Sequence, residues 1–351
     1  MKVKQITGDM RRRIIEGEFP PGTILPNRKV LLEHYSVSVA AFQKTINTLI
    51  SEGFLFSRNS SGVFVRKDPP HLFRLGLAIP VSSPAELQLD SLWNKLILAG
   101  NDFHFEGQKV ELKCYYIGNA LGVGKDLFAL QEDVANHQLC GVVFLRHSPA
   151  VDLPPDFPQV NFDYRPLVTP PAHIRISPDH KALFALALEK MKQCGAKNVA
   201  VILQASLNNQ SLVQLKKLAD NSGLFIPPDW LLALNFELKD SIAQKWLISG
   251  LFSGNRKVHP DGLIVMNENF VPSVIDQLYQ EGRIPGQNIH VVAHCNWPIS
   301  SNEHPGVHYI GFHTGDILKS FMSGIRKFTG DTTPVVELLP RMFKSGEAPL
   351  R

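Results

Sequence analysis

The sequence has few cysteines and no long apolar run. Its cysteines, Cys114, Cys140, Cys194 and Cys295, are scattered without a CxxC pair, which favours reduced buried thiols over disulfides or a zinc site. No stretch approaches the roughly 18 uninterrupted apolar residues of a membrane-spanning helix. The first residues lack the apolar core of a signal peptide. We therefore expect a cytoplasmic protein with no membrane partner.

The sequence also lacks catalytic motifs: neither a GxSxG elbow nor an HExxH pair occurs. Residues 118–125 resemble a phosphate loop, but the spacing is too long and Asp126 replaces the hydroxyl that binds magnesium. His290 and His294 would share one face of a strand, yet no carboxylate or thiolate at matching spacing supports a metal site. We expect no catalytic residues, no metal and no cofactor, and hence not an enzyme.

Basic residues are concentrated at the start of the chain. Residues 1–70 contain 11 lysines and arginines against 6 aspartates and glutamates, and the remaining residues contain 25 against 26. The formal net charge of +4 therefore arises in the first fifth of the chain. Such a distribution is typical of a small module that meets a polyanion and is attached to a nearly neutral body.

A proline pair marks the clearest boundary. The chain of 351 residues suits two or three domains. Pro69 and Pro70 cannot continue a helix or a strand ladder and favour an extended connector. We therefore predict an N-terminal domain at residues 1–68, a linker at 69–72 and a larger domain at 73–351.

The first segment has the pattern helix, helix, helix, hairpin. Apolar residues at helical spacing predict an amphipathic first helix with Arg11, Arg12 and Arg13 on its outer side. Asn27 is the expected N-cap of a short second helix. A third helix is predicted over residues 38–52, and two strands at 54–58 and 63–66 form a hairpin. The buried stripe predicted for the third helix consists of Phe42, Thr45, Ile46 and Leu49.

This order describes a winged helix-turn-helix, whose second helix of the pair enters the major groove of DNA. The wing tip of such a domain lies against the adjacent backbone or minor groove. An alternative is a winged helix that contacts a protein. The predicted DNA-binding residues are Asn27, Arg28, Lys29, Ser38, Val39, Ala40, Gln43, Lys44, Arg58, Ser60, Ser61 and Gly62.

Residues 3–67 resemble the GntR family of winged-helix transcription regulators. The matching residues, in order and spacing, are Gly17, Pro21, Gly22, Leu25, Pro26, Asn27, Leu31, Val37, Ser38, Leu49, Glu52, Gly53, Gly62, Val63, Phe64 and Val65. The resemblance also shows departures, because Val39, Gln43 and Lys29 stand where the family usually has arginine. Since bidentate arginine is the commonest contact to guanine, the resemblance implies an atypical operator that leans towards A·T.

The rest of the chain alternates strands and helices, which predicts parallel sheets covered on both faces. Two such units side by side leave a cleft at the carboxyl ends of their strands, where ligands bind. The strands are predicted at 73–80, 110–117, 141–145, 159–162, 198–203, 231–235, 262–266 and 289–293. The helices that alternate with these strands are predicted at 86–99, 125–136, 180–194, 212–221, 241–251 and 271–280.

This order resembles the effector domain of LacI-type regulators and the related periplasmic sugar-binding proteins. The segments that carry the resemblance are 196–202, 260–267, 282–292, 315–318 and 338–341. The resemblance implies an α/β fold with two lobes, the first at about 73–170 and 297–325, the second at about 171–296 and 326–351. It also implies a homodimer and a small-molecule effector, a sugar or another metabolite, in the cleft between the lobes.

Polar residues near the expected strand ends are the candidates for effector binding: Ser82, Arg146, Asp163, Asn208, Asn267, Glu268, Asn296 and Trp297. The arginine and aspartate with which sugar-binding relatives grip hydroxyls are missing at the corresponding places. We expect a DNA-binding transcription regulator, a repressor controlled by its effector. The alternative is a cytoplasmic solute-binding protein whose head does not bind DNA.

Overall fold

The structure, a computed structural model, describes most of the chain. Its described residues are 2–58, 61–81, 91–119, 122–145, 151–162, 174–204, 209–234, 242–253, 258–298, 303–328 and 335–343. The expected alternation of strands and helices is confirmed, as is the helical head with a hairpin.

The head consists of three helices and a hairpin, in the order α1 (Lys2–Ile15), α2 (Arg28–Tyr35), α3 (Val39–Glu52), β1 (Leu55–Arg58) and β2 (Gly62–Val65). Its helices enclose a core of their own because each carries an apolar stripe at helical spacing. The largest fully buried members are Met10, Ile14, Leu49, Phe54 and Leu55. The N-cap role of Asn27 is confirmed, since its side chain accepts a hydrogen bond from the Lys29 amide at 2.9 Å.

The prediction that three arginines of α1 point outwards is wrong for two of them. Arg11 is buried and pairs with Glu52 at the end of α3, and the Arg13 side chain is largely covered, with its guanidinium on Glu18 and Tyr35. Only Arg12 is mostly exposed. Periodicity alone does not reveal this, because Glu52 lies 41 residues away in sequence.

The body begins with a short helix, α4 (Pro70–Phe73), and continues as alternating strands and helices. The prediction of an extended linker at 69–72 is therefore wrong from Pro70 onwards, because proline is tolerated in the first turn of a helix, where its missing N–H has no partner within the helix. Through residue 178 the elements are β3 (Arg74–Ile79), α5 (Ser91–Gly100), β4 (His104–Phe105), β5 (Gln108–Lys109), β6 (Glu111–Tyr116), β7 (Gly118–Asn119), β8 (Gly122–Val123), α6 (Leu127–Ala135), β9 (Gly141–Phe144), β10 (Gln159–Phe162) and β11 (Ile174–Pro178). The later elements are α7 (His180–Gln193), β12 (Val199–Gln204), α8 (Asn209–Asn221), β13 (Leu231–Leu234), α9 (Ile242–Phe252), β14 (Gly262–Val265), α10 (Val271–Gln280), β15 (His290–His294), β16 (Val307–Gly311), α11 (Thr314–Lys327), β17 (Val335–Leu338) and β18 (Arg341–Met342).

The first sheet has six strands in the order β17-β11-β10-β9-β3-β6. Every neighbouring pair from β11 to β6 is parallel. In β9, Val142 and Phe144 pack with α6, whereas a Cβ on Gly141 would meet Ile325 of α11. Because successive side chains of a strand point to opposite faces, the sheet is covered by helices on both sides.

The second sheet also has six strands, in the order β13-β12-β14-β15-β16-β18, and only the last pair is antiparallel. Helices α9 and α10 cover one face through a fully buried apolar cluster that includes Ile248, Val274 and Leu278. Helix α7 lies on the other face, where Met191 approaches Gly262. Both sheets therefore have the covered parallel arrangement that the sequence predicts.

The chain divides into two compact units. The first contains residues 1–86, 97–176 and 318–335, and the second contains 87–96, 177–317 and 336–351. This division differs from the predicted lobes, because β16, expected in the first lobe, pairs with β15 in the second sheet. None of the helices in the described part of the chain has the length and apolar character that a membrane span needs.

Candidate nucleic-acid interface and effector site

Helix α3 separates a buried stripe from an exposed side. Its N-cap is Ser38, whose hydroxyl accepts a hydrogen bond from the Ala41 amide at 3.3 Å. It ends at Gly53, which adopts φ +90° and closes the helix with a left-handed residue. The predicted stripe, Phe42, Thr45, Ile46 and Leu49, is buried as expected.

The opposite side of α3 is open to solvent. Its predicted contact residues Ser38, Val39, Ala40, Gln43 and Lys44 are all exposed, Val39 to 57%. Asn47, one turn further on, belongs to the same side, and its Oδ1 accepts a hydrogen bond from Gln43 Nε2 at 2.9 Å. This side of α3 offers amide, hydroxyl and methyl groups of the kind that read base edges.

The start of α2 adds positive charge beside that helix. Arg28 donates a hydrogen bond to the Val39 carbonyl at 3.4 Å, so the beginnings of α2 and α3 are neighbours. Arg28, Lys29, Lys44 and Arg58 are exposed, and the structure gives them no carboxylate partner within the described residues. The arginines of α1, by contrast, are neutralised by Glu52, Asp9, Glu16 and Glu18. The uncompensated cations of α2, α3 and the wing are therefore available to a polyanion.

The hairpin forms the expected wing, with Arg58 paired to Gly62 at its tip. Ile24 adds an isolated bridge to Phe64, a contact that the sequence does not indicate. Gly62 adopts φ +110°, and a Cβ there would lie 3.0 Å from Ile24 Cδ1, which explains the glycine. Arg58, Ser61 and Gly62 are exposed, whereas Ser60 lies outside the described residues.

Four of the predicted effector-binding residues, Ser82, Arg146, Asp163 and Asn208, also lie outside the described residues. The other four belong to the second unit, where they follow the carboxyl ends of two neighbouring parallel strands. Asn267 and Glu268 come after β14, and Asn296 and Trp297 come after β15. Polar groups at such strand ends are typical of ligand sites in open α/β sheets.

Glu268 and Asn296 are joined directly and are nearly inaccessible, with exposures of 8% and 1%. Asn296 donates its side-chain amide to Glu268 Oε1 at 2.7 Å and its backbone amide to Oε2 at 3.0 Å. Lys95, from α5, also reaches Oε2, with its Nζ at 2.6 Å. The two predicted residues thus form one cluster with a lysine that sequence patterns did not single out.

Both members of the buried ion pair, Lys95 and Glu268, are charged at neutral pH. Burial by itself would lower the pKa of Lys95, but the charge of Glu268 outweighs it and the net pKa is raised. Burial by itself would raise the pKa of Glu268. The charge of Lys95 and the hydrogen bond from Asn296 outweigh burial, so the net pKa of Glu268 is lowered. Neighbouring His294, fully buried, has its pKa lowered to about 4 mainly by burial and is neutral at pH 7.

Asn267 and Trp297 have mainly structural contacts. Asn267 caps the short helix Glu268–Phe270 by accepting from the Asn269 amide, and it donates to Gln204 Oε1 at 2.9 Å. Trp297 is buried and stacks on Phe343, with ring centroids 5.1 Å apart. Lys95 is the residue that sequence reasoning missed; its only signal is one positive charge in the apolar stretch 92–98.

The head matches a known protein family. Residues 2–65 match the family described as bacterial regulatory proteins, gntR family. The N-terminal domain is a GntR-family domain. No curated protein matches the sequence.

The body has the fold of LacI-family regulators. A putative transcriptional regulator LacI from Bacillus cereus subsp. cytotoxis NVH 391-98 superposes with a TM-score of 0.55 at 14% identity, over 78% of this chain and 96% of its own. A putative ribose operon repressor from Burkholderia thailandensis gives 0.52 at 15% identity, over 77% and 98%. A probable maltose operon transcriptional repressor from Staphylococcus aureus gives 0.56 at 11% identity, over 79% and 97%. The chain thus combines a head that matches the gntR family with a body that is similar in fold to LacI-family regulators.

Proposed function

We propose that this protein is a transcription regulator that binds an operator in duplex DNA through its GntR-type head and responds to a small molecule bound by its body. The observation that carries the proposal is the open side of α3, where Ser38, Gln43 and Asn47 are exposed. It is flanked by cations that have no carboxylate partner among the residues that the structure describes. A recognition helix needs this combination, because phosphate contacts position it and exposed side chains read the bases.

The exposed side chains favour readout of A·T pairs. A glutamine amide pairs with adenine N6 and N7, and the Gln43 Nε2 keeps a second N–H beside the one donated to Asn47. Val39 and Ala40 offer apolar contact to a thymine methyl group. The wing would contact the backbone through Arg58, Ser60, Ser61 and Gly62.

The finer parts of the proposal concern regulation. We propose a homodimer, because paired half-sites require two heads. We also propose that it is a repressor, a role supported by two structural neighbours that are described as operon repressors. We propose an effector site at the strand ends around Asn267, Glu268, Asn296 and Trp297. A cytoplasmic location follows from this function.

The test is selection of bound sequences from a random duplex pool by the full-length protein, followed by fluorescence anisotropy across a salt series. We expect enrichment of an A·T-rich motif with two-fold symmetry. Log affinity should fall linearly with log salt, because each phosphate contact releases counterions. A slope near zero and no enriched motif would instead favour a solute-binding protein whose head does not bind DNA.

A further inference from the structure

The ammonium group of Lys95 has no hydrogen-bonding capacity left. Lys95 is 8% exposed, and its Nζ lies 2.6 Å from Glu268 Oε2, 2.7 Å from the Asn296 carbonyl and 3.4 Å from Cys295 Sγ. An ammonium carries three N–H donors and no acceptor. All three donors are occupied, so Lys95 in this position cannot also hold an anionic or hydroxyl-bearing ligand.

The groups that surround the ammonium are held in place by other contacts. Glu268 receives two hydrogen bonds from Asn296, and the Asn296 Oδ1 accepts one from the Phe312 amide at 3.3 Å. The Cys295 amide donates to the Ile310 carbonyl at 2.9 Å, which fixes the segment after β15 beside β16. The carboxylate, carbonyl and thiol therefore form a receptor that does not depend on Lys95 for its shape.

His294, whose side chain contacts Asn296, carries a buried ring nitrogen that has no hydrogen bond within the described part of the chain. His294 Nε2 lies 3.3 Å from the Asn296 Oδ1, an acceptor, which makes Nε2 the protonated nitrogen and Nδ1 an acceptor. Nδ1 is buried and has no hydrogen-bond partner among the described residues. Buried polar atoms of this kind are rare in native proteins.

We propose that this cluster is an ammonium-binding site whose occupant in the structure is the chain's own Lys95, and that the effector is a small molecule with a primary amine that takes its place. The effector part rests on the proposed function. The charge of Glu268 dictates the class of ligand, because removal of one partner from a buried ion pair leaves an uncompensated charge. A neutral ligand in place of Lys95 would leave that carboxylate unpaired, and an anion would add a second negative charge.

The test uses the full-length Lys95→Ala variant with propylammonium, whose three carbons and ammonium replace the deleted atoms. We expect a saturable rise in melting temperature and an affinity at least about tenfold higher than that of the wild type, in which the tethered lysine competes. Tetramethylammonium, a cation without N–H donors, should give no rise at the same concentration. The matched control is Lys216→Ala, which removes a lysine from an exposed pair with Asp220 and should not respond.

Lys95→Val is the second variant if the alanine variant does not fold. Valine is smaller than lysine by about the volume of an ammonium ion, so ammonium chloride should stabilise this variant more than potassium chloride does. Addition of Glu268→Gln should abolish the difference, because the carboxamide carries no negative charge.

The outcomes separate the site from the proposed function. If neither Lys95 variant distinguishes N–H cations from tetramethylammonium or potassium, the ammonium site is overturned, whatever the protein does with DNA. If propylammonium binds the Lys95→Ala variant but leaves its affinity for the selected operator unchanged, the site stands and the effector role is overturned. A change in operator affinity of at least about threefold on amine binding supports both.

Discussion

Arg11 and Glu52 form a two-point ion pair between the first and third helices of the head. One guanidinium nitrogen of Arg11 lies 2.7 Å from both carboxylate oxygens, and a second donates to Asn136 Oδ1 in the body at 3.2 Å. The Glu52 carbonyl in turn accepts from Arg74 of β3 at 3.1 Å. The end of α3 is thus tied both to the rest of the head and to the first sheet.

Glu52→Gln should lower the free energy of unfolding by about 3 kcal/mol, because it removes one partner of a largely buried ion pair and leaves Arg11 uncompensated. Urea unfolding at neutral pH measures the change. The matched control is Glu16→Gln, which disrupts an exposed pair with Arg12 and should cost about 0.5 kcal/mol or less. Equal effects of the two substitutions would contradict the role assigned to the buried pair.

Gln43→Ala should weaken binding to the selected operator by about 1–3 kcal/mol and relax the preference at one base pair. The reason is that we propose the Gln43 amide to read a base edge, whereas the fold of α3 does not need this side chain, since it is exposed. Anisotropy with the operator and its single-base variants gives the measurement. Gln193→Ala, on an exposed helical site of the second unit, is the control. Unchanged base preference in the Gln43 variant would show that the register assigned to α3 on DNA is wrong.

Lys44→Ala should weaken binding to every duplex to a similar extent, because a lysine that contacts phosphate carries no sequence information. The slope of log affinity against log salt should become shallower by about 1. A salt series with operator and unrelated DNA tests both expectations, with Lys216→Ala as the control. A loss confined to the operator would instead assign Lys44 to base readout.

The sequence was sufficient where the determining contacts are local. The ends of α3 follow from Ser38 and Gly53, and its buried stripe follows from spacing alone. The roles of Arg11 and Lys95 could not be predicted, since their carboxylate partners lie 41 and 173 residues away. Periodicity assigns a charged residue to the solvent side by default, and only the fold shows which charges are paired inside.

The same limit applies to the candidate effector site. Glu268 and Asn296 were predicted because each follows a strand, and parallel strands bring their carboxyl ends to one edge. Their mutual hydrogen bonds and their saturation by Lys95 depend on the placement of α5, which no local pattern specifies. The residue types at a sheet edge can thus be predicted from sequence, but the side chains that fill their hydrogen bonds cannot.

His71→Phe should make the protein less sensitive to acid. His71 stacks on Phe54, with ring centroids 5.8 Å apart, and its Nδ1 is buried without a partner among the described residues. Burial lowers its pKa to about 4, with smaller contributions from His137 and Arg326. Between pH 6.5 and 4 the unfolded chain therefore takes up a proton that the folded chain does not, so stability falls as the pH falls through this window.

Phenylalanine keeps the stack and removes the titrating group. At pH 5 the wild type should have lost about 2 kcal/mol through His71 relative to pH 8, and the variant should recover that amount. Part of the acid loss should remain in the variant, because the pKa of His294 is also lowered to about 4. Urea unfolding at pH 8 and pH 5 measures the difference, with packing effects read at pH 8, where both histidines are neutral. If the pH 8 to pH 5 loss is as large in the variant as in the wild type, His71 is not neutral and buried in the folded protein.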